Sequence, residues 1–278
     1  MSEKNLKIYL KRTHNSKTMN IYINIDTFKT MALKTEKYLT ETCGELNINI
    51  VEDIDKADII CSIGGDGTFL KSARLSEGKL ILGINCGTMG FLTEIEPENI
   101  DKALKEVMNG NFYIDKRMML EGEIIKENGD VINIPPALNE IAISKNIYGV
   151  VRFNVIVNGK LINSYTADGM IVSTPTGSTA YNLSCGGPIV DPTAEIITLT
   201  PIAPHTILNR SIILSDDSII EIEITEFRGD ADSFVLYDGN AIKISVGDVV
   251  KIKKSEDITK IIKLDWKSFI DVIHDNIN

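Results

Sequence analysis

The sequence predicts two domains of different class: an α/β amino-terminal domain with a parallel sheet, and a β-rich, sandwich-like carboxyl-terminal domain. Two short apolar runs, 59–63 and 79–84, each lead into a glycine loop, which is typical of buried parallel strands whose carboxyl ends share one crevice. Beyond Gly110 the apolar residues change from helical to alternating spacing. We therefore predict one domain at 1–110, joined by 258–278, and a second at 111–257.

The elements of the amino-terminal domain follow from the spacing of its apolar residues. Pro97 and Asn109-Gly110 bound an apolar stripe, which predicts a core-facing helix over Glu98–Met108. Another helix is expected after Gly64, with Thr68 as its cap. The earlier elements are expected in this order: a strand at Leu6–Leu10, a strand at Met19–Ile25, a helix at Asp26–Thr42 and a strand at Glu45–Val51.

The carboxyl-terminal domain consists mainly of alternating runs separated by turn residues. Asn158-Gly159 is a strong hairpin signal between two of these runs. A last helix is expected at Trp266–Ile277, packed on the first domain. The strands are expected at Met118–Lys126, Val131–Ile134, Glu140–Ser144, Arg152–Val157, Leu161–Tyr165, Ser211–Leu214, Ile219–Thr225, Ser233–Leu236, Ala241–Ser245 and Val249–Lys253.

The loop Gly64-Gly65-Asp66-Gly67-Thr68 joins the first glycine-bounded strand to its expected helix. Consecutive glycine amides and a helix amino terminus present N–H donors to an anion, so the loop is suited to phosphate. The carboxylate of Asp66 would repel a phosphate unless it takes a proton from an attacking hydroxyl, orients that hydroxyl or holds a metal ion. The alternative is an ordinary tight turn, because Gly-Asp-Gly is common turn chemistry.

A second unusual segment, 167–188, is rich in small, hydroxylated and glycine residues. Such residues are expected to make a poor core and a good ligand cradle, since backbone amides can approach a ligand closely and hydroxyls can bond to ribose or adenine. The alternative is a long surface loop. We favour the cradle because loops of this length inside a compact domain are usually functional.

Composition and charge argue against several classes of function. A net charge of −10 with scattered basic residues disfavours binding to nucleic acid or to an anionic membrane surface. Basic residues interrupt the first apolar run, so no signal peptide is expected. No stretch approaches the apolar length of a membrane span, and we predict a cytoplasmic protein. The four cysteines are far apart and are expected to be small core residues rather than metal ligands or disulfides.

The chain carries a set of motifs at Gly64–Thr68, Asn85–Leu92, Leu138–Glu140, Asp168–Gly187, Pro201–Thr206 with Arg210, and Asp238–Asn240. Together they resemble the motifs of the NAD kinases, which transfer a phosphoryl group to the 2′-hydroxyl of the adenosine ribose of NAD to make NADP. Lipid kinases and phosphofructokinases carry a loop similar to the first motif. The whole set, which extends from about Asp58 to about Asn240, makes the resemblance specific.

The resemblance implies roles on the phosphate side of the reaction. Asp66 is implied to activate the 2′-hydroxyl, while Gly64, Gly65 and Thr68 contact the phosphates of the donor. Lys71 is implied to reach a phosphate, and the alternative is a solvated lysine. A divalent metal, commonly magnesium, is expected with ATP or polyphosphate as donor, and nucleotide phosphates and water are expected to provide most of its ligands.

On the NAD side, the resemblance implies that Asn139 and Glu140 hold the nucleoside, although alone they would indicate a polar turn. Phe91 and Tyr181 are implied to sandwich the adenine, although Phe91 alone would indicate a core residue. The residues implied to bind NAD are Asp66, Gly67, Phe91, Asn139, Glu140, Asp168, Thr179, Ala180, Tyr181, Asn182, Leu183, Ser184, Ala203 and Asn240.

Some expectations rest on the resemblance alone. Bacterial relatives imply a homo-oligomer, a dimer or a tetramer. Thr166 stands where many relatives have a basic residue, so the resemblance does not imply a phosphate or neighbouring-subunit contact at this position. Two alternatives to an NAD kinase stay open: a lipid or sugar kinase that shares the first loop, and a non-catalytic sensor that binds NAD or NADP.

Overall fold

The computed structural model describes residues 18–87, 90–146, 149–205, 209–228, 233–264, 266 and 268–277. The chain divides into two compact units, Met1–Lys116 with Thr259–Asn278, and Arg117–Ile258. The predicted strand at Leu6–Leu10 lies outside the described residues. Within the described parts of the chain, no helix is long and apolar enough to cross a membrane.

The first unit is built on a parallel sheet with the strand order β2-β1-β3-β4. The end of a late strand, β16 (Val249–Lys263), adds to its edge, where Lys260 lies opposite Leu80 of β4. All six residues of β3 are buried, as expected for a strand covered on both faces. The elements of this unit are β1 (Asn20–Ile25), α1 (Thr30–Glu45), β2 (Asn49–Ile50), β3 (Ile59–Gly64), α2 (Asp66–Leu75), β4 (Leu80–Asn85), α3 (Ile100–Met108) and α5 (Phe269–Ile277).

Two helices of the first unit pack apolar stripes into its core. In α3 the buried residues recur at the helical spacing that the sequence predicts, and the helix begins directly after the turn at Pro97–Asn99. In α1 the stripe includes Leu39 and Cys43, and burial raises the pKa of the Cys43 thiol to about 11. Cys43, Cys61 and Cys86 are free and buried, which is the packing expected of small core residues. Cys185 is also free but only partly buried, so the prediction of a core residue was wrong there.

The second unit is a β-sandwich, as its alternating sequence predicts. One layer is a six-stranded antiparallel sheet with the order β12-β11-β10-β7-β14-β15, and the other contains β8, β9, β13 and the first part of β16. One apolar core collects side chains from both layers, among them Ile143 and Val172 from the first and Phe153 and Ile222 from the second. Together with the parallel sheet of the first unit, this confirms the predicted fold class.

The strands of the second unit extend several of the predicted runs. β5 and β16 are longer than their alternating patterns indicated, and each continues across the division between the units. The elements are β5 (Tyr113–Ile125), β6 (Val131–Ala137), β7 (Glu140–Lys145), β8 (Val150–Val157), β9 (Lys160–Ala167), β10 (Gly169–Ser173), α4 (Tyr181–Ser184), β11 (Ile196–Ile202), β12 (Ile212–Ser215), β13 (Ile220–Arg228), β14 (Ser233–Tyr237), β15 (Asn240–Ile244) and β16 (Val249–Lys263).

The interpretation of 167–188 as a poor core was wrong for its first half. All five residues of β10 are buried, and this strand lies between β7 and β11 inside the six-stranded sheet. The alternative of a long surface loop was also wrong. Gly169 permits the close pairing, because a Cβ there would collide with the carbonyl oxygen of Ile143. The sequence interpretation also missed the strand β11.

Candidate active site

The loop between β3 and α2 places a carboxylate at the first residue of a helix. Gly65 is the N-cap of α2, and its carbonyl oxygen accepts the N–H of Thr68 (3.0 Å) and of Phe69 (3.1 Å). The prediction that Thr68 caps the helix was wrong, because the helix begins at Asp66. The Thr68 side chain is buried over Gly64, where any Cβ would collide with its hydroxyl.

Asp66 is held by a second loop, 86–92, rather than by its own turn. Its Oδ2 accepts the N–H of Phe91 at 2.9 Å, and its Oδ1 accepts the N–H of Leu92 at 3.2 Å. Gly90 allows this approach, since a Cβ there would collide with Oδ1. Each carboxylate oxygen keeps a second lone pair, so the oriented group can still accept a hydrogen bond from a hydroxyl. These long-range contacts disfavour the ordinary-turn alternative.

The second loop is itself tied to the first. The N–H of Cys86 donates to the carbonyl oxygen of Gly64 at 2.8 Å, and Asn85 lies opposite Gly64 in the pairing of β3 with β4. Phe91 is half-buried, so its ring is only partly in the core. Thr88 and Met89 of this motif lie outside the described residues. The two glycine loops thus meet at the carboxyl ends of neighbouring parallel strands.

Two lysines differ in how they lie relative to these loops. Lys71, predicted to reach a phosphate, is an exposed residue of α2. The ammonium of Lys29, which sequence reasoning missed, lies 3.5 Å from the Cβ position at Gly65 and 3.4 Å from that at Gly87. No sequence signal marks Lys29, because its position depends on the turn between β1 and α1.

In the second unit, Asn139 and Glu140 lie at the start of β7, where Asp238 holds the backbone. The carboxylate of Asp238 accepts the N–H of Leu138 at 2.6 Å and of Asn139 at 2.9 Å. On the other side, the hydroxyl of Thr174 donates to the carbonyl oxygen of Leu138 at 2.6 Å. The motif is therefore clamped from two elements distant in sequence, which disfavours the simple polar turn as its alternative.

Glu140 is a buried carboxyl group without full hydrogen bonding. Burial, with the negative charge of Asp238 adding to it, raises the pKa of Glu140 to about 8. Within the described residues its Oε2 has no hydrogen-bond partner. Buried polar atoms are nearly always paired in native proteins. The unpaired oxygen is thus free to accept a hydrogen bond from a ligand hydroxyl.

Asn182 holds the glycine-rich segment together. Its side-chain amide donates to the carbonyl oxygens of Ser178 and Pro188, both at 3.1 Å, and its Oδ1 accepts the hydroxyl of Thr200 at 2.6 Å. Gly187 makes room for it, because a Cβ there would collide with the amide. Both amide donors of Asn182 are therefore used within the protein.

The remaining predicted residues lie around α4 and the ends of the six-stranded sheet. Asp168 forms an ion pair with Lys145 (Oδ1 to Nζ, 2.8 Å), and sequence reasoning missed Lys145. The side chain of Asn240 donates to the carbonyl oxygens of Tyr237 and Asp238 in the β14–β15 turn. The half-buried or exposed residues in this group, which keep surface for a ligand, are Thr179, Ala180, Tyr181, Leu183, Ser184 and Ala203.

The described residues contain no group of three or more histidine, cysteine, aspartate or glutamate side chains that could hold a metal ion. Divalent cations such as magnesium need several oxygen ligands. Any such ion would therefore need ligands in addition to clustered side chains of these types.

The family models and sequence relatives agree on one family. Residues 11–112 match the model of the ATP-NAD kinase N-terminal domain, and residues 138–264 match that of the C-terminal domain. An NAD kinase of Caldanaerobacter subterraneus is 44% identical over 230 residues, which cover 81% of this chain and 80% of the relative.

Solved structures share the fold. Yeast NADH kinase complexed with NADH superposes with a TM-score of 0.83 at 23% identity, covering 94% of this chain and 87% of that one, and shows the fold alone. An NAD kinase from Archaeoglobus fulgidus in complex with ATP has a TM-score of 0.74 at 27% identity and covers 90% of this chain and 94% of its own. The chain therefore belongs to the NAD kinase family and is an enzyme that phosphorylates NAD.

Proposed function

We propose that this enzyme transfers the γ-phosphoryl group of ATP to the 2′-hydroxyl of the adenosine ribose of NAD, with Asp66 as the general base. The observation that carries the assignment is the Asp66 carboxylate, held by the N–H groups of Phe91 and Leu92 at the start of α2. Holding the carboxylate in one orientation positions it to take the proton of an attacking hydroxyl. Phosphoryl transfer needs little more from a protein than such positioning and charge.

ATP is the donor that the relatives favour. The similar structure from Archaeoglobus fulgidus is a complex with ATP. In this chain we assign the phosphates to the loop of Gly64, Gly65 and Thr68, where backbone N–H groups of a helix amino terminus favour an anion. Lys71 is exposed on the same helix and stays a proposed phosphate contact.

We assign NAD to residues of several of the motifs that resemble those of the NAD kinases. Glu140 is proposed to accept a hydrogen bond from a ribose hydroxyl, because its Oε2 lacks a partner within the described residues. Asn139 is proposed to read the adenine edge, and the rings of Phe91 and Tyr181 to stack on the base. The other proposed NAD contacts are Asp66, Gly67, Asp168, Thr179, Ala180, Asn182, Leu183, Ser184, Ala203 and Asn240.

Three further expectations are proposals. The divalent metal, commonly magnesium, is proposed to come with the donor phosphates, since the described residues lack a cluster of metal-binding side chains. A homo-oligomer, a dimer or a tetramer, is proposed from the family resemblance, and light scattering of the purified protein tests it. A cytoplasmic location is proposed from the sequence.

The two alternatives, a lipid or sugar kinase and a non-catalytic dinucleotide sensor, are not favoured. A lipid or sugar kinase would share only the first loop, whereas this chain matches the models of both NAD kinase domains. A non-catalytic sensor would have no reason to keep an oriented carboxylate beside a phosphate-binding loop. Tight NAD binding without turnover with any donor would favour the sensor.

The decisive experiment measures NADP formation by the purified protein from NAD, ATP and magnesium, with polyphosphate as donor in a parallel reaction. We expect Asp66→Asn to lower kcat by about 10²–10⁴-fold while NAD binding, measured by calorimetry, stays within a few fold. Because the new amide faces N–H donors, the melting temperature of the variant is measured as well. Asp101→Asn, on the exposed face of α3, is the matched control. A loss much smaller than about 10²-fold in a folded variant would contradict the role of base.

A further inference from the structure

We propose that Lys29 binds the phosphate groups of the phosphoryl donor. The inference rests on the proposed function, because it assigns a residue to the donor side of that reaction. Lys29 lies outside every motif of the chain. Its position in the fold, its charge and its surroundings carry the proposal.

The turn between β1 and α1 brings Lys29 to the carboxyl end of the parallel sheet. The N–H of Asp26 donates to the carbonyl oxygen of Ile63 at 3.0 Å, which ties the turn to the end of β3. The N–H of Lys29 then donates to the carbonyl oxygen of Asp26 at 3.2 Å, and Phe28 donates to the Asp26 carboxylate. Lys29 is the residue that precedes α1, so its backbone is fixed on both sides.

The ammonium of Lys29 lies beside both glycine loops. A Cβ built on Gly65 would be 3.5 Å from its Nζ, and a Cβ built on Gly87 would be 3.4 Å from it. Both distances are ordinary van der Waals contacts, so side chains at these positions would occupy the space around the ammonium. Glycine at both positions leaves that space open to an anion that also contacts the backbone of the Gly64–Thr68 loop.

The ammonium also has capacity for a new partner. Its ion pair with Asp26 has a distance of 3.9 Å, which is longer than a hydrogen bond, and its side chain is 43% exposed. Such partly exposed pairs are weak. An ammonium has three donors and binds phosphate as a point charge. A polyphosphate anion would therefore compete well with Asp26 for Lys29.

The sequence pointed instead to Lys71. That residue lies one turn into α2, and its side chain is exposed. A lysine further along a helix lies away from the N–H donors of the first turn, whereas the ammonium of Lys29 lies directly beside Gly65, the N-cap. Replacing Lys29 is therefore expected to affect binding of the donor phosphates more strongly than replacing Lys71.

The test compares Lys29→Ala, Lys29→Arg, Lys71→Ala and the control Lys37→Ala in the full-length enzyme. Lys37 lies in α1, the helix that Lys29 precedes, and its side chain is 80% exposed. We expect Lys29→Ala to raise the KM for ATP by about ten-fold or more, as for a lost charge-assisted hydrogen bond, with the KM for NAD within about two-fold. Lys29→Arg should recover most of the loss, and Lys37→Ala should change neither constant.

Binding of inorganic tripolyphosphate, measured by calorimetry, separates this proposal from the proposed function. Weaker tripolyphosphate binding by Lys29→Ala than by the unaltered enzyme supports the role of Lys29 even if no NADP is formed. An unchanged KM for ATP together with unchanged tripolyphosphate binding would overturn the proposal. Equal rises in both KM values, or a lowered melting temperature with no rescue by arginine, would also overturn it, because they would indicate a structural role.

Discussion

Single residues of the site act through partners that are far away in sequence. Asp66 is oriented by amides of residues 91 and 92, and the backbone of Asn139 is held by Asp238. Glu140 is the exception, since one of its oxygens has no partner within the described residues. A buried group of this kind costs free energy when it is charged, because its lost hydration is not fully replaced by hydrogen bonds.

The raised pKa of Glu140 predicts how the stability of the free enzyme depends on pH. Burial raises this pKa from the ordinary value of 4.5 to about 8, so the native state keeps a proton that the unfolded state loses. The stability that this carboxyl contributes is therefore present below about pH 4.5 and is lost as the pH rises towards 8. We expect the free energy of unfolding of Glu140→Gln to rise relative to that of the unaltered enzyme over this range.

Urea unfolding at several pH values between 5 and 8 (about half-unit steps are sufficient) measures this difference. Glu123→Gln, a partly exposed carboxylate paired with Lys251, is the matched control, and its difference should stay nearly constant with pH. A constant difference for Glu140→Gln as well would contradict the raised pKa.

At the scale of elements, the start of β7 and the turn after β10 pack with no spare space. Gly177, in the 3₁₀ turn Thr176–Thr179, lies against Asn139 so closely that a Cβ would collide with its carbonyl oxygen. The N–H of Gly177 also donates to the hydroxyl of Thr174 at 3.0 Å. The glycine-rich composition of this segment thus serves the contact between elements.

Gly177→Ala should push the turn away from Asn139. We expect NAD binding to weaken by about ten-fold or more and the melting temperature to fall, because backbone atoms rather than a flexible side chain must move. Calorimetry with NAD and thermal unfolding measure the two effects.

Gly44→Ala is the matched control. Gly44 lies in α1 with nothing within 4 Å of its Cβ position, and alanine is the better helix residue. Gly44→Ala should leave NAD binding unchanged, and its melting temperature should equal or slightly exceed that of the unaltered enzyme. A Gly177→Ala variant that binds NAD normally would contradict the proposed close packing.

At the scale of the whole molecule, the chain leaves the first unit and returns to it. The last part of β16 pairs with β4, and Lys263 at its end forms a buried ion pair with Glu94 at 2.7 Å. The other oxygen of Glu94 accepts the N–H of Leu264 at 3.1 Å. These contacts attach the returning segment to the first unit.

Glu94→Ala should destabilise the protein by about 3–5 kcal/mol, because it leaves the buried Lys263 ammonium without its charged partner. Urea unfolding measures the change, and the double variant Glu94→Ala with Lys263→Met should recover part of it. Asp101→Ala, which removes an exposed ion pair with Lys105, should change the stability by no more than about 0.5 kcal/mol. A small effect of Glu94→Ala would show that the returning segment is held by its strand pairing and apolar packing instead.

Local patterns were sufficient for much of the fold. The helix α3, the hairpin at Asn158-Gly159 and most strands of the second unit follow from spacing and turn residues. The start of α2 and the strand β10 did not follow from local patterns, because both depend on packing against other residues in the fold. Thr68 turns inward over Gly64, and β10 is buried only because β7 and β11 pair with it on both sides.

The sequence by itself determined the two fold classes, the loop at Asp66 and, through its set of motifs, the family. These features depend on residue type and short spacing, which glycine conformation and apolar periodicity control. Only the tertiary structure decided which groups meet: Asp66 with residues 91 and 92, Asp238 with residues 138 and 139, and Lys29 with Gly65 and Gly87. The physical reason is that hydrogen bonds and contacts between distant residues depend on strand order and register, and no local pattern encodes them.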